Sequence, residues 1–220
     1  MRDRYTIVVG LLFAVIVIFA VVKGTGGGGG ILGLDQQPRN WPLPEFAVPL
    51  APTDLEGDAN VTQDDCSASQ LPCPPDARRV PACRVEDERA IRVCDLFDRP
   101  SVISFWFSKG DGCVDQQDTV SEVYERYRGR VGFLSLDVRD DRGSVRDLIR
   151  ERGWEMPVGY DRDGAVAGLY RVGGCPTFAY VYPGGTLQSA SIGELSAAAL
   201  GSRVEALLRA TEAAESGERS

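Results

Sequence analysis

Residues 101–127 read SVISFWFSKGDGCVDQQDTVSEVYERY. The first seven, Ser101 to Phe107, form a short apolar run rich in β-formers, with Pro100 before it and Ser108-Lys109-Gly110 after it. A run of that length without polar alternation predicts a central strand buried on both faces. Further on, the period changes. Val120, Val123, Tyr124 and Tyr127 fall at i, i+3, i+4 and i+7, one face of a helix that begins near Cys113.

The same alternation continues downstream. Val131 to Val138 predicts a second buried strand, and Val145, Leu148 and Ile149 mark a helix after Asp141-Arg142-Gly143-Ser144. Pro157 to Tyr160 is a short strand and Ala165 to Tyr170 a short helix. Thr177 to Tyr182 is a strand, and Pro183-Gly184-Gly185 turns it into another at Thr186 to Ala190. Leu200, Val204, Leu207 and Leu208 give a closing helix, with a polar, frayed tail over 213–220. The order β-α-β-α-β-α-β-β-α predicts an α/β fold. Its mixed sheet carries helices on both faces and ends in an antiparallel hairpin.

Upstream, residues 51–79 form a Cys- and Pro-containing insertion with few apolar residues. Val80 to Val85 and Ala90 to Cys94 read as two short strands joined by Glu86-Asp87-Glu88-Arg89. Six cysteines allow fifteen connectivities. One consistent assignment joins Cys83 to Cys94 within that hairpin and Cys66 to Cys73 within the insertion. A zinc site built from these four is disfavoured, because their spacings are not those of metal-binding pairs.

Ile7 to Val22 is apolar, broken only by Gly10, and with Tyr5 and Thr6 reaches 18 residues. At about 1.5 Å per residue it spans roughly 27 Å, near a thin hydrocarbon core. Arg2 and Arg4 precede it, so positive-inside reasoning puts residues 1–23 down as a cytoplasmic tip and membrane anchor with the remainder outside. A cleaved signal peptide is the rival reading, and it places the domain on the same side. The glycine run after Lys23 has neither a leading strand nor a following helix, so it reads as a spacer and not as a phosphate loop. With Pro38 and Pro42 it makes 24–43 a linker, and the domain proper is expected over 44–212. Disulfides persist in that compartment.

Composition narrows the chemistry. A formal charge of −8 repels phosphate backbones and argues against nucleic-acid binding. The chain has no histidine, which removes Ser-His-Asp and Cys-His catalysis and imidazole metal sites. The reading calls for neither a cofactor nor a metal, and leaves cysteine as the informative residue.

From Pro44-Glu45-Phe46 to the last helix, the sequence resembles the membrane-anchored thioredoxin-like proteins of the TlpA/ResA redoxin type. Asp95 to Pro100 followed by SVISFWF is similar to the family's DLRGKPVVLNFWA. Tyr160-Asp161-Arg162-Asp163-Gly164 is similar to its LDPDG, and Val172 to Phe178 to its V-x-G-x-P-T-x-F segment. The resemblance implies a thioredoxin-like fold in which Pro176 is cis and faces the start of the helix after the central strand. It also implies partners that are protein thiols or disulfides, or a membrane redox protein. Where the family has Cys-x-x-Cys, this chain has Gly110-Asp111-Gly112-Cys113, so the first cysteine is replaced by Gly110. A cysteine stands instead at Cys175, immediately before Pro176.

On that fold Cys113 and Cys175 are neighbours, expected to form a relocated redox pair. Gly110 leaves space there, and Lys109, Gly110 and Thr177 contribute to a substrate groove. The helix N-terminus and Lys109 favour a thiolate on Cys113, while Asp111 opposes it. Two further readings stand beside this one. Phe105 to Cys113 also resembles a peroxiredoxin stretch, with Cys113 in the peroxidatic position and Cys175 resolving. The pair could also be a structural bridge in a non-enzymatic binding module.

Overall fold

A computed structural model describes residues 41–55 and 81–218. The expected anchor at 7–22, most of the linker and most of the 51–79 insertion, with Cys66 and Cys73, lie outside the described residues. Among the described residues, no helix is long and apolar enough to cross a membrane.

Among the described residues, eight strands and four α-helices follow the expected alternation. They are β1 (Trp41–Pro42), β2 (Ala47–Pro49), β3 (Ala90–Arg92), β4 (Ser101–Trp106), α1 (Cys113–Tyr127), β5 (Gly132–Val138), α2 (Arg142–Arg152), β6 (Val158–Asp161), α3 (Ala165–Leu169), β7 (Thr177–Tyr182), β8 (Thr186–Ile192) and α4 (Ala197–Glu218). Six strands form one sheet in the order β1-β8-β7-β4-β5-β6. The central strand β4 runs parallel to β5 and antiparallel to β7. Its unbroken apolar pattern has a simple cause, since both faces are covered. Val102 and Trp106 enter one core with α1 and α4, while Ile103 and Phe105 enter the other with Tyr170 and Phe46.

Local chemistry sets the ends of these elements. Asp141 caps α2 by accepting the Ser144 N–H at 2.9 Å, and Gly153 ends it with φ +67°. At the β6 edge, Leu50 bridges Gly159 and the Ala51 N–H donates to the Val158 carbonyl. A Cβ at Gly159 would sit 2.9 Å from both Val48 and Leu136, so glycine lets β2 cross closely. Arg142 and Arg146 donate to the carbonyls of Leu50, Ala51, Thr53 and Leu55, which pins the root of the insertion to α2.

Three sequence expectations need correction. The hairpin over 80–94 does not form. Ala82–Arg84 is a 3₁₀ turn behind Pro81, and β3 pairs with β2 in the register Val48↔Ile91. The apolar partner of Ile91 is thus supplied from upstream, and Ala82 and Val85 pack with Ala47 as a small separate cluster. The sheet also begins inside the expected linker, because Trp41–Pro42 pairs with β8 and Leu43 is buried. Finally, the 213–220 tail is helical to Glu218, carried by Ala213 and Ala214, which are strong helix formers.

Candidate redox site

The chain leaves β4 at Trp106 and must reverse into α1 within six residues. Gly110 N–H donates to the Phe107 carbonyl at 3.4 Å and Cys113 N–H to the Gly110 carbonyl at 3.2 Å, making consecutive turns. Gly112 takes φ +70°, a left-handed conformation suited to glycine, and the helix starts at Cys113. Opposite, the Cys175–Pro176 peptide bond is cis, and β7 follows at once.

These two segments meet. Cys113 and Cys175 are joined by a disulfide with α-carbons 5.9 Å apart, within the usual range. Their surroundings differ. Cys113 is 1% exposed, whereas Cys175 is half-buried at the end of a loop whose Gly173 is exposed. Gly110 does not leave open space as expected. A Cβ there would lie 2.5 Å from Cys113 Sγ and 2.8 Å from the Phe107 ring, so the sulfur and the ring fill that position. Glycine at 110 is what lets the Cys113 sulfur sit where it meets Cys175.

A third segment closes the site. In the β8–α4 loop, Gly193 N–H donates to the Pro176 carbonyl at 2.9 Å. Two residues on, Leu195 and the Gln116 side chain exchange two hydrogen bonds, Leu195 N–H to Oε1 at 2.7 Å and Nε2–H to the Leu195 carbonyl at 3.0 Å. Between them, the Glu194 carboxylate occupies the space beside Gly112 that a side chain would need. One short loop therefore touches the segments carrying both cysteines and sets a negative charge at the N-terminus of α1.

Polar groups lie buried beneath. Ser104 and Ser135 hydroxyls donate to Gln117 Oε1 at 3.1 and 2.9 Å. The Ser108 N–H donates to the Asp140 carboxylate, tethering the first residues after β4, and Tyr160 OH donates to the Asp140 carbonyl at 2.9 Å. Asp137 stands in register with Trp106 on β5. Its carboxyl is buried, and among the described residues it has no hydrogen-bond partner. Burial first, and the neighbouring Asp140 second, push its pKa up to about 9, so it is protonated at neutral pH.

Of the residues singled out from sequence, Gly110, Cys113, Cys175 and Pro176 converge. Lys109 is exposed on the turn. Thr177, expected to line a groove, is instead fully buried, its hydroxyl donating to the Gly174 carbonyl at 2.6 Å. It shapes the loop before Pro176 without facing solvent. Cys83 and Cys94 form a second disulfide. Cys94 packs with the core on the other face of the sheet from Cys175, and Glu45 lies within 4.8 Å of both sulfurs, which the bond already occupies. Sequence reasoning missed Gln116, Gln117, Asp137, Asp140 and Glu194. Asp137 alone carried a visible signal, as an acid inside the apolar run Val131–Val138.

No family model matches the chain. Among solved structures, it superposes on a thiol:disulfide interchange protein of the thioredoxin family from Chlorobium tepidum. The TM-score is 0.54 at 15% identity, covering 79% of this chain and 99% of that one. A second Chlorobium tepidum structure, provisionally assigned as thiol:disulfide interchange protein DsbE, gives a TM-score of 0.56 at 15% identity over 79% and 97% of the two chains. The chain has a thioredoxin-like redoxin fold. Within that fold, the curated thiol-disulfide oxidoreductase ResA of Oceanobacillus iheyensis is 24% identical over 111 residues, half of this chain. The match spans 58% of the length of that relative. In the thioredoxin-like frame the cis Pro176 loop and the start of α1 face each other, and here each carries one cysteine of a bond.

Proposed function

We propose that the chain is a thiol–disulfide oxidoreductase acting outside the cytoplasm, and that Cys113 and Cys175 are its redox pair. The observation that carries this is the disulfide between the first residue of α1 and the residue before cis Pro176, in which Cys113 is buried and Cys175 half-buried. The name of the ResA relative supports the same class of reaction. In one direction, two thiols of a partner become a disulfide while the Cys113–Cys175 bond becomes two thiols. Two electrons and two protons pass to the pair. The reverse reduces a partner disulfide. The apolar run Ile7 to Val22, with Arg2 and Arg4 before it, supports tethering at a membrane, where partners are protein thiols or a membrane redox protein.

The peroxidase reading requires peroxide to reach Cys113, and that residue is 1% exposed. Its burial speaks against that reading. A two-cysteine peptide disulfide, reduced by dithiothreitol with and without the protein, tests the proposal. The wild type accelerates the reaction, and the double variant Cys113→Ser/Cys175→Ser, which keeps Cys83–Cys94, does not. Equal rates for the two proteins would leave the bond a structural bridge in a binding module.

A further inference from the structure

We infer that Cys175, on the loop before the cis proline, is the sulfur that exchanges with the partner, and that Cys113, at the helix N-terminus, is the resolving and leaving sulfur. This rests on the redox-pair reading and assigns its direction of attack.

The first argument is access. Cys113 is 1% exposed, and its Sγ sits in the space a side chain at Gly110 would need, 3.6 Å from the Asp111 carbonyl. On the side of α1, the Gly193–Leu195 loop is fastened by Gln116. Cys175 is half-buried and preceded by two glycines. A Cβ at Gly173 would meet nothing within 4 Å, and at Gly174 only Ile192 at 3.8 Å. The backbone leading into Cys175 thus carries no side chain and has free space beside Gly173.

The second argument is electronic. In exchange, the leaving sulfur departs faster the more acidic its thiol. Cys113 opens α1, where the helix dipole stabilises a thiolate. The helix N-terminus thus favours Cys113 as the leaving sulfur, the carboxylates of Glu194 and Asp111 beside it work against this, and access decides the direction.

The step balances as follows. A partner thiolate forms a bond to Cys175 Sγ, the Cys113–Cys175 bond breaks, and its electron pair stays on Cys113 Sγ as thiolate. The partner's second thiol, losing its proton to solvent, attacks its own sulfur in the mixed disulfide. Cys175 thiolate leaves, and the partner is oxidised by two electrons. Run backwards, Cys175 thiolate attacks a partner disulfide and Cys113 resolves it.

The test is to mix oxidised wild-type protein with a single-cysteine peptide, quench with acid and alkylate. Peptide mapping then finds which cysteine carries the added mass. We expect it on Cys175. In parallel, the single variants Cys113→Ser and Cys175→Ser react with glutathione disulfide after mild reduction. Cys175 in the first is expected to react at least tenfold faster than Cys113 in the second. The adduct on Cys113, or a faster Cys113, overturns the assignment while leaving the pair redox-active. Wild-type trapping needs no variant to fold. If the bond resists dithiothreitol as well as the peptide, the redox reading itself fails, and the assignment with it.

Discussion

Gly110→Ala puts the geometry of the site to a quantitative test. With the disulfide closed, the added Cβ would lie 2.5 Å from Cys113 Sγ and 2.8 Å from the Phe107 ring. Contacts that close force a shift, and overpacking of this kind costs about 1–3 kcal/mol. The contact with Phe107 weighs equally on both states and cancels. The contact with the sulfur does not, because reduction frees Cys113 to take another rotamer. The cost therefore falls on the oxidised form. For a two-electron couple with 30 mV per ~1.4 kcal/mol, the reduction potential rises by about 20–60 mV. The assay equilibrates protein in graded glutathione buffers, quenches with acid, and counts alkylated Cys113 and Cys175 by mass. Gly129→Ala is the control, since its Cβ would meet nothing within 4 Å and its potential is expected to stay at the wild-type value. An unchanged or lowered potential for Gly110→Ala, in a protein that still melts cooperatively, would refute the account of why glycine stands there.

Other perturbations follow from the buried and charged groups. Asp137 has a folded pKa of about 9 against roughly 3.9 unfolded, so between those values the folded state holds the extra proton and stability falls as pH rises. Asp137→Asn removes that slope, with a gain of at most ~4 kcal/mol at pH 7 and almost none near pH 4. Urea midpoints at the two pH values check it, and an equal advantage at both would sink it. Glu194→Gln takes a negative charge from beside the α1 N-terminus, where it opposes a Cys113 thiolate. The reduced state gains, and the potential rises by ~10 mV, the equivalent of about 0.5 kcal/mol. A fall in the same redox titration would contradict this. Gln116→Ala removes both side-chain bonds to Leu195, worth ~1 kcal/mol, so amide exchange at Leu195 quickens about fivefold or more. Unchanged protection would mean the loop is held by something else.

The sequence made the sheet readable wherever burial is two-sided. β4, β5 and β7 are apolar without alternation because helices or loops cover both faces, and their bounds are close to those expected. Prediction failed where a segment takes its partner from far away. Ile91 pairs with Val48 and not with the residues just before it, so a local hairpin was the wrong reading of 80–94. The site divides in the same way. Gly110, Cys113, Cys175 and Pro176 stand out through their order along the chain, yet Cys113 and Cys175 are 62 positions apart and only the fold brings them to 5.9 Å. Gln116 meets Leu195 across 79 positions, a contact with no local pattern, and Glu194 looks like any exposed loop acid until that loop is seen folded over Gly112. Thr177 is the converse case. Its place beside Pro176 suggested a groove, but it is the first residue of a central strand and its hydroxyl turns inward to Gly174.

The most direct measurement is the reduction potential of the Cys113–Cys175 bond in the wild-type domain, followed by mass so that Cys83–Cys94 is counted separately. The account predicts reduction somewhere between about −120 and −270 mV, the span of thiol–disulfide oxidoreductases. A bond that stays oxidised below about −300 mV, as structural disulfides do, would contradict it.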